Sequence, residues 1–216
     1  MNKLTHFSLV TLLLMLVSCG NRLTDVTYST EDENGDLTVI RFYDNGKVIF
    51  TEIDSQKVKE YSTLYMCLGY NTHFGEYQRN GSVVKLARNG IVRDECIFED
   101  GVIKWKDAEF KPDKRFSTIK RKGKYGGTRY TSNTDDIDLF FIDETKVYGI
   151  AGSARKLCNY ELEDGKMLID NFDLILEEGK NKLVSSNSWD TLILKKENKD
   201  YNDYEFNQEI LKDTEY

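Results

Sequence analysis

The chain has 216 residues and is acidic, with 37 Asp and Glu against 30 Lys and Arg and a formal net charge of -7. This length suffices for one domain or two small ones with a sizeable core. The acidic balance argues against nucleic acid as a partner, so we expect none.

The N-terminus has the pattern of a secretory signal. Lys3 precedes an apolar run from Phe7 to Val17, which is shorter than the ~20 apolar residues that span a bilayer. The sequence Leu16-Val17-Ser18-Cys19 that follows resembles the lipobox of bacterial lipoproteins, in which the Cys is diacylated and becomes the first residue after cleavage. We therefore predict a signal peptide over residues 1–18. The alternative is an ordinary secretory peptide that happens to contain a Cys.

The lipobox also sets the expected address and the first expected partner. We predict a protein of the bacterial cell envelope that is held to a membrane by lipid on Cys19. Gly20 stands where the inner-membrane retention signal would place Asp, which favours the outer membrane.

Removal of the signal leaves little reactive chemistry in the mature chain. His73 is then the one remaining histidine, which excludes sites built on two histidines and makes any Ser-His-Asp or Cys-His arrangement depend on it. Lipidation of Cys19 leaves Cys67, Cys96 and Cys158. An odd number of thiols allows one disulfide at most, and three buried, unbridged cysteines are an equally good interpretation.

Short apolar runs separated by turn dipeptides follow the signal. A strand is predicted over 26–30, and Asn34-Gly35 and Asn45-Gly46 then predict turns, because Asn and Gly adopt a positive φ at least cost. Counting from Asn45-Gly46 pairs Phe42 with Ile49. That register predicts a core face of Ile40, Phe42, Ile49 and Ile53. Between 54 and 71 the turn signals stop, and we expect either a short helix over 58–66 or an irregular crossover.

The stretch from Phe74 to Trp105 carries three further turn signals, at Asn80-Gly81, Asn89-Gly90 and Asp100-Gly101. Each lies between apolar runs, which predicts a β-meander without helix. Counting outward from the turns places opposite charges across the hairpins, in the pairs Glu76–Lys85, Lys85–Asp94 and Glu95–Lys106. We therefore predict this register.

Residues 111–129 carry eight basic side chains against one acid, Asp113. One interpretation is a strand over 115–121 with its charged face in solvent, since Phe116 and Ile119 mark an apolar side. The other is a docking surface for anionic lipid headgroups or an acidic partner, with Lys120, Arg121 and Lys122 as contact residues. The glycine-rich segment 123–127 that follows is interpreted as a linker.

The second half repeats the order of parts in the first. Both halves contain an aromatic hairpin (40–50 and 139–150), a Tyr-led hairpin (77–86 and 160–169), a turn of two acidic residues and Gly (99–101 and 177–179), and a strand that runs into Lys. This order indicates an internal duplication with the 54–71 connector inserted in the first copy. The alternative is that any all-β meander repeats itself to some extent.

The fold class predicted from these patterns is all-β. We expect an antiparallel meander that forms a barrel or sandwich, in two similar halves over residues 19–122 and 123–197. Residues 198–216 are acidic and poor in apolar side chains, which predicts a mobile tail with a short helix near 206–211.

Two family resemblances are visible in these strands. The glycines and tyrosine of Gly149-Ile150-Ala151-Gly152 and Tyr160, followed by Asp164-Gly165-Lys166, resemble the G-x-x-G-C-N-x-x-x-G-x-Y pattern of META domains, small β-rich domains of bacterial envelope lipoproteins. Ser153 and Ala154 stand where that family has Cys-Asn, so its disulfide does not carry over. The aromatic-rich meander also resembles lipocalin-like barrels, without the lipocalin G-x-W signature. Both resemblances imply an architecture and no particular activity.

The residues indicate binding rather than turnover. The chain has no phosphate-cradling glycine loop and no C-x-x-C motif, and we expect no enzymatic activity, no cofactor and no metal. Trp105 and Trp189 are candidate ligand contacts, because aromatic rings stack on ligands. Such rings are equally often core residues or cross-strand pairs.

The leading functional prediction is a lipid-anchored, non-enzymatic β-protein outside the cytoplasm that binds a small apolar or amphipathic ligand or an envelope partner. One alternative is a structural or assembly subunit of an envelope complex. Another is an unrecognised hydrolase built on two carboxylates. The barrel interior distinguishes the first two, because space inside leaves a cavity, whereas Phe and Tyr filling it make a solid scaffold.

Overall fold

The structure is a computed structural model that describes residues 22–132, 136–170, 174–186 and 191–212. Within these ranges the fold is all-β and consists of two closed antiparallel barrels, each with eight strands. The predicted fold class and the two similar halves are therefore confirmed. The predicted signal peptide, Cys19 and Trp189 lie outside the described residues. None of the helices in the described ranges is long and apolar enough to cross a membrane.

The first barrel is an up-and-down meander in which each strand pairs with the next along the chain. Its strands are β1 (Thr27–Glu31), β2 (Leu37–Phe42), β3 (Lys47–Ile53), β4 (Tyr70–Asn80), β5 (Val83–Arg88), β6 (Ile91–Glu99), β7 (Val102–Trp105) and β8 (Ala108–Pro112). Pairing of β1 with β8 closes the barrel, with Tyr28 opposite Pro112 and Ser29 opposite Lys111. Closure satisfies the backbone groups that an open sheet edge would expose.

The second barrel has the same plan. Its strands are β9 (Arg129–Ser132), β10 (Ile137–Phe141), β11 (Lys146–Ala151), β12 (Ala154–Glu163), β13 (Lys166–Ile169), β14 (Leu174–Gly179), β15 (Lys182–Ser186) and β16 (Thr191–Lys196). Pairing of β9 with β16 closes it, with Thr131 opposite Lys195.

The barrels belong to two compact units. Among the described residues, the first unit ends at Phe116 and omits Tyr65–Leu68, and the second consists of that segment together with the chain from Ser117 onward. The boundary therefore falls after Phe116 and not after residue 122. The first unit carries helix α1 (Ser55–Glu60), and the second carries a 3₁₀ turn (Met66–Leu68) and helix α2 (Asp203–Leu211). The predicted connector thus contains a short helix and an irregular crossover.

The acidic segment after β16 is ordered in its described part, so the prediction of a mobile tail is wrong there. Tyr201, Phe206 and Ile210 are buried, and the ring of Phe206 packs edge-to-face on Phe140 at a centroid distance of 5.4 Å. A capping box between Asn202 and Glu205 starts α2. The few apolar residues of this segment are enough to pack the helix, because Phe206 and Ile210 lie one helical turn apart on the same face.

Turn chemistry explains the hairpins of the first barrel. Asn89 and Gly90 both have positive φ, as do Asp100 and Gly101, which is what a type I′ turn requires. At the preceding turn only Gly81 has positive φ, and Asn80 pairs with Val83 across it. The two turn residues there are Gly81 and Ser82, with Gly at the position where a type II′ turn requires positive φ.

This displaced turn corrects the predicted register. Lys85 lies opposite Gln78, so the predicted pair Glu76–Lys85 is wrong. Glu76 instead forms an ion pair with Lys47 of β3 at 3.0 Å. Because two residues of shift preserve the alternation of faces, Tyr77 and Leu86 still share one face.

A β-bulge corrects the next hairpin. Ala87 lies opposite Val92, but Leu86 lies opposite Asp94, so Arg93 is the extra residue. Lys85 is therefore opposite Glu95, with 3.5 Å between Nζ and the carboxylate, and the predicted pair Lys85–Asp94 is wrong.

The third hairpin follows the predicted count. Glu99 pairs with Val102, and Ile97 pairs with Lys104, around Asp100-Gly101. Lys106, however, lies beyond the end of β7 with a φ of 53°, and its Nζ lies 3.7 Å from Asp94.

The β2–β3 hairpin corrects the predicted core face. Tyr43 N–H bonds to the Lys47 carbonyl, so the loop has three residues and Phe42 pairs with Val48. This one-residue shift places Ile49 and Ile53 on the face opposite Ile40 and Phe42. All four side chains are buried, so both faces of the hairpin are apolar and covered.

Each barrel packs the same aromatic trio. The trios are Tyr28, Phe42 and Tyr77 in the first barrel and Tyr130, Phe141 and Tyr160 in the second. The Phe42–Tyr77 and Phe141–Tyr160 ring pairs are both edge-to-face at 5.0 Å. The hydroxyls of Tyr77 and Tyr160 donate to the carbonyl oxygens of Tyr43 and Asp143, each at 2.9 Å. This shared arrangement supports the predicted duplication.

Candidate ligand-binding cavity

One end of the first barrel holds a cavity of about 390 Å³. Its wall is largely apolar and includes Ile40, Val48, Phe50, Phe74, Leu86 and Trp105. Next to this cavity the core is packed with buried side chains, among them Phe42, Phe98 and Ile103, and a second cavity of about 440 Å³ is lined by Val26, Tyr28, Val102 and Pro112. The barrel is therefore solid over one part of its length and hollow over another.

Strand pairing positions the wall. Ile40 of β2 lies opposite Phe50 of β3, and Phe50 lies opposite His73 of β4. Residues directly opposite one another share a face of the sheet, so all three line the cavity.

Gly75 provides part of the open space. It lies opposite Val48 and carries no side chain to fill the interior at that level. A Cβ at this position would lie 2.7 Å from the carbonyl oxygen of Ala87, closer than carbon and oxygen tolerate. Glycine is therefore required by the close approach of β4 to β5.

Aromatic rings form a connected frame at the cavity. The ring centroid of Trp105 lies 5.4 Å from that of Phe50 in an edge-to-face contact and 6.2 Å from that of Phe110. The ring of His73 lies 6.0 Å from Phe50. Aromatic side chains that are packed against each other lose little further conformational entropy on binding, so these rings are preorganised for an apolar ligand.

Asp94 fixes the orientation of Trp105. The indole Nε1 donates a hydrogen bond of 2.8 Å to Asp94 Oδ2, and Lys106 lies over the Trp105 ring at 5.0 Å. The β6 bulge allows this contact. Because Arg93 is the extra residue, Asp94 lies opposite Leu86, on the inner face of the barrel.

The environment of Asp94 keeps its carboxylate charged. Burial works to raise the pKa of Asp94, but hydrogen bonds from the Glu95 N–H and from Trp105 outweigh it. The positive charge of Lys106 acts in the same direction, so the pKa lies below its usual range.

The rim of the cavity (His73, Arg88, Arg93, Asp94 and Lys106) carries three permanent cations and one carboxylate. Since Asp94 is already engaged by Trp105 and Lys106, the rim has an excess of positive charge. An apolar wall below a cationic rim suits a ligand with an apolar body and an anionic end.

His73 lines the cavity, where it lies opposite Phe50 across the β3–β4 pair. Its ring packs on an aromatic neighbour, which favours a wall role. In the part of the chain that the structure describes, no group of three or more His, Cys, Asp or Glu is arranged to hold a metal ion.

Within the described ranges, Cys67, Cys96 and Cys158 are buried and form no disulfide, so the predicted alternative of unbridged thiols is the one observed. Burial raises the pKa of Cys96 to about 12 and that of Cys158 to about 11. Thiols that stay protonated at neutral pH are poor nucleophiles, so these two residues act as core side chains.

Among the predicted contact residues, the structure places Trp105 in the cavity wall and places the basic group elsewhere. Lys120, Arg121 and Lys122 belong to the second unit and do not line the cavity. The predicted strand over 115–121 is also wrong. The segment follows an irregular path in which the Lys120 N–H donates to the Ile142 carbonyl at 3.0 Å.

Much of the basic charge in residues 111–129 already has carboxylate partners. Arg115 pairs with Asp113 at 2.8 Å, Arg121 with Asp200, and Lys124 with Glu178. Arg129 pairs with Asp138, Glu197 and Glu209 at 3.0, 3.5 and 3.3 Å. These ion pairs reduce the positive charge that the stretch presents to an external anion.

The glycine-rich segment 123–127 belongs to the second unit and packs on its core, so it is not a linker. Tyr125 is buried in the barrel core, and its hydroxyl donates to Glu178 at 2.6 Å. Burial raises the pKa of this tyrosine, with the Glu178 hydrogen bond and charge adding to the effect. Leu23 is buried in the first core ahead of β1, much as Tyr125 is buried ahead of β9.

The chain matches no protein-family model and no curated protein sequence. Sequence reasoning identified Trp105 but missed Phe50, Asp94 and the two arginines of the rim. The predicted β2–β3 turn was wrong by one residue, and this error placed Phe50 on the wrong face of β3. No feature of the sequence indicated the bulge at Arg93.

Proposed function

We propose that the protein binds a small amphipathic ligand in the cavity of the first barrel and does not turn it over. The observation that carries this proposal is the cavity of about 390 Å³ at one end of the first barrel, with its largely apolar and aromatic wall. Cavities of this size lie within the ~300–1,000 Å³ range of small-molecule sites.

The chemistry of the wall and the rim supports the ligand class. Phe50, Leu86 and Trp105 offer apolar and aromatic surface, while Arg88, Arg93 and Lys106 offer positive charge where the cavity opens. A ligand with a short apolar body and a carboxylate or phosphate end satisfies both regions. Binding needs only this shape and charge, whereas acid–base catalysis needs a positioned proton donor or acceptor.

The proposed setting is the one that the sequence predicts. Lipid on Cys19 would hold the barrels at the surface of an envelope membrane, and Gly20 favours the outer membrane. The alternatives are an assembly subunit of an envelope complex and a hydrolase built on two carboxylates.

The direct test is titration of the chain from Gly20 to Tyr216 with decanoate and with decanol. A Trp189→Phe background leaves Trp105 as the fluorescent reporter. We expect saturable quenching or a spectral shift with decanoate, and weaker binding of decanol because it lacks the charge.

A matched pair of variants locates the binding. Leu86→Phe adds a ring to the cavity wall and should weaken decanoate binding about tenfold or more, through lost volume. Leu162→Phe makes the same change at an exposed position of β12 and should have no effect. Absence of saturable binding, or equal loss in both variants, would overturn the proposal. Hydrolysis of an ester substrate by the parent chain would favour the hydrolase alternative.

A further inference from the structure

The tip of the β5–β6 hairpin, residues Arg88–Arg93, exposes two consecutive apolar side chains. Ile91 is 55% exposed and Val92 is 50% exposed. Single exposed hydrophobic residues are common on protein surfaces, but adjacent ones in a strand point to opposite faces. Both sides of this tip therefore present an apolar group.

Two arginines flank this apolar pair. Arg88 precedes the Asn89-Gly90 turn, and Arg93 follows Val92, and both are exposed at the rim of the cavity. The segment contains no acidic residue. Two carboxylates from outside the segment lie close to it: Glu76 accepts a hydrogen bond from the Gly90 N–H at 3.4 Å, and Asp94 accepts one from Trp105.

We propose that this hairpin tip docks on the surface of an anionic lipid bilayer, with Ile91 and Val92 entering the headgroup–acyl boundary and the arginines contacting lipid phosphates. An apolar tip bordered by cations is the combination that favours interfacial insertion. Guanidinium groups suit this role because they bind phosphate oxygens through two hydrogen bonds at once.

The size of the tip favours a bilayer over a protein partner. A stable protein–protein interface buries about 800 Å² on each side, far more than two aliphatic side chains supply. A bilayer needs no such area, because apolar groups are transferred into the lipid one by one. The resulting affinity is modest, so the contact orients a chain that is already held near a membrane.

This orientation would open the cavity toward the lipid surface, since Ala87, Arg88 and Arg93 belong to both the hairpin and the cavity lining. The docking contact itself goes beyond the proposed ligand binding and does not depend on it. The two proposals can therefore fail separately.

The test uses the chain from Gly20 to Tyr216, which lacks the Cys19 acyl chains, in flotation with vesicles. One preparation contains phosphatidylcholine alone, and the other contains phosphatidylcholine and phosphatidylglycerol in equal parts. We expect co-flotation with the anionic vesicles, reduced at high salt because surface charges are then screened. No flotation with either preparation would overturn the proposal and leave a protein partner as the occupant of the tip.

Three double variants decide whether the tip is responsible. Ile91→Ser with Val92→Ser, and Arg88→Gln with Arg93→Gln, should each lower partition onto anionic vesicles by about tenfold or more. Leu162→Ser with Ile175→Ser removes apolar residues that are 54% and 51% exposed on the second barrel, and should change nothing. Flotation that survives both tip variants, or falls equally in the control, would contradict the inference.

The unfolding midpoint in urea serves as the folding control, so the test is independent of ligand binding. The Ile91→Ser, Val92→Ser variant should keep the midpoint of the parent chain, because both side chains are exposed. Loss of flotation with an unchanged midpoint supports the docking role. Loss of flotation together with a lower midpoint would show that the tip is structural and would overturn the inference.

Discussion

At the scale of single residues, Asp94 contributes the negative charge at the rim of the cavity. It is the one carboxylate among the described residues that line the cavity, and the β6 bulge is what brings it to the inner face. Its hydrogen bond to Trp105 orients the indole, and its charge offsets part of the positive rim. Orientation and selectivity are therefore linked through one side chain.

Replacing Asp94 with Asn separates these two effects. The amide oxygen still accepts the Trp105 hydrogen bond, but the negative charge is removed. We expect the affinity for decanoate to rise about fivefold, because one repulsion of ~1 kcal/mol between two carboxylates in water is lost. Decanol affinity should stay unchanged. Glu95→Gln, on the next residue of β6 but outside the cavity, is the matched control in the same titration. A rise in decanol affinity of equal size would show that shape rather than charge has changed.

A second prediction at this scale concerns Cys19. Cys19→Ala should block lipoprotein processing and abolish acylation, because no thiol is then available at the lipobox. Mass spectrometry of the parent protein should find a modified Cys19 at the N-terminus. An unmodified N-terminus at another residue would contradict the predicted anchor.

At the scale of strands and hairpins, two glycines have different structural reasons. Gly90 lies at a φ of 73° with no atom near an added Cβ, so its requirement is conformational. Gly75 has an ordinary φ, and its requirement is steric, since an added Cβ would meet the Ala87 carbonyl oxygen at 2.7 Å.

These reasons predict different costs for the same substitution. Gly90→Ala should lower the free energy of unfolding by about 1 kcal/mol, the strain of a left-handed Ala. Gly75→Ala should cost more, because two backbone strands must separate, and it should also weaken decanoate binding. Urea unfolding of both variants measures the difference. Equal costs would indicate that β4 and β5 adjust freely at this point.

At this scale, the positions of the turns follow from the local sequence, but the register of the strands does not. The turn dipeptides predicted every hairpin of the Phe74 to Trp105 stretch, because positive φ is a local property of Asn, Asp and Gly. Register was predicted less well, since several acids stand near each Lys and charge alone could not choose among Glu76, Asp94 and Glu95. The bulge at Arg93 depends on packing across the barrel, which leaves no local signal.

The candidate site shows the same limit. Trp105 stood out as one of two tryptophans, but the cavity depends on Gly75, Phe50 and Leu86 facing inward together. Their common orientation follows from register, and register follows from turns that a single residue can shift. The empty part of the barrel could not be predicted, because it reflects which interior positions carry small side chains.

At the scale of the whole molecule, the second unit depends on a segment from far earlier in the chain. Tyr65, Met66, Cys67 and Leu68 are all buried and belong to this unit. The Tyr65 hydroxyl donates a hydrogen bond of 2.8 Å to Asp143 in the loop between β10 and β11.

Asp143 makes the stability of this unit depend on pH. Burial works to raise the pKa of Asp143, but hydrogen bonds from the Thr145 and Lys146 backbone and from Tyr65 outweigh it and hold the pKa below its usual range. A depressed folded-state pKa stabilises the fold above the unfolded pKa of ~3.9, and the benefit is lost as pH falls through the folded pKa.

We therefore predict that the parent chain loses stability relative to Asp143→Asn as the pH falls below about 4. Tyr65→Phe should destabilise the second unit by about 1 kcal/mol at neutral pH through loss of one buried hydrogen bond. Urea unfolding across the pH range measures both effects. A constant difference between parent and Asp143→Asn at all pH values would refute the role of this carboxylate.

The membership of Tyr65–Leu68 in the second unit has a consequence for biosynthesis. Chains emerge from the N-terminus, and domains generally fold as they appear. These four residues are synthesised well before Ser117, so their side chains are exposed to solvent until the later strands have been synthesised and have folded. In a chain truncated after the first barrel, the apolar side chains of Met66 and Leu68 would stay exposed to solvent. Exposed apolar side chains favour aggregation and proteolysis. Burial of this segment therefore requires synthesis of the second unit, so incomplete chains expose an apolar surface that complete chains cover.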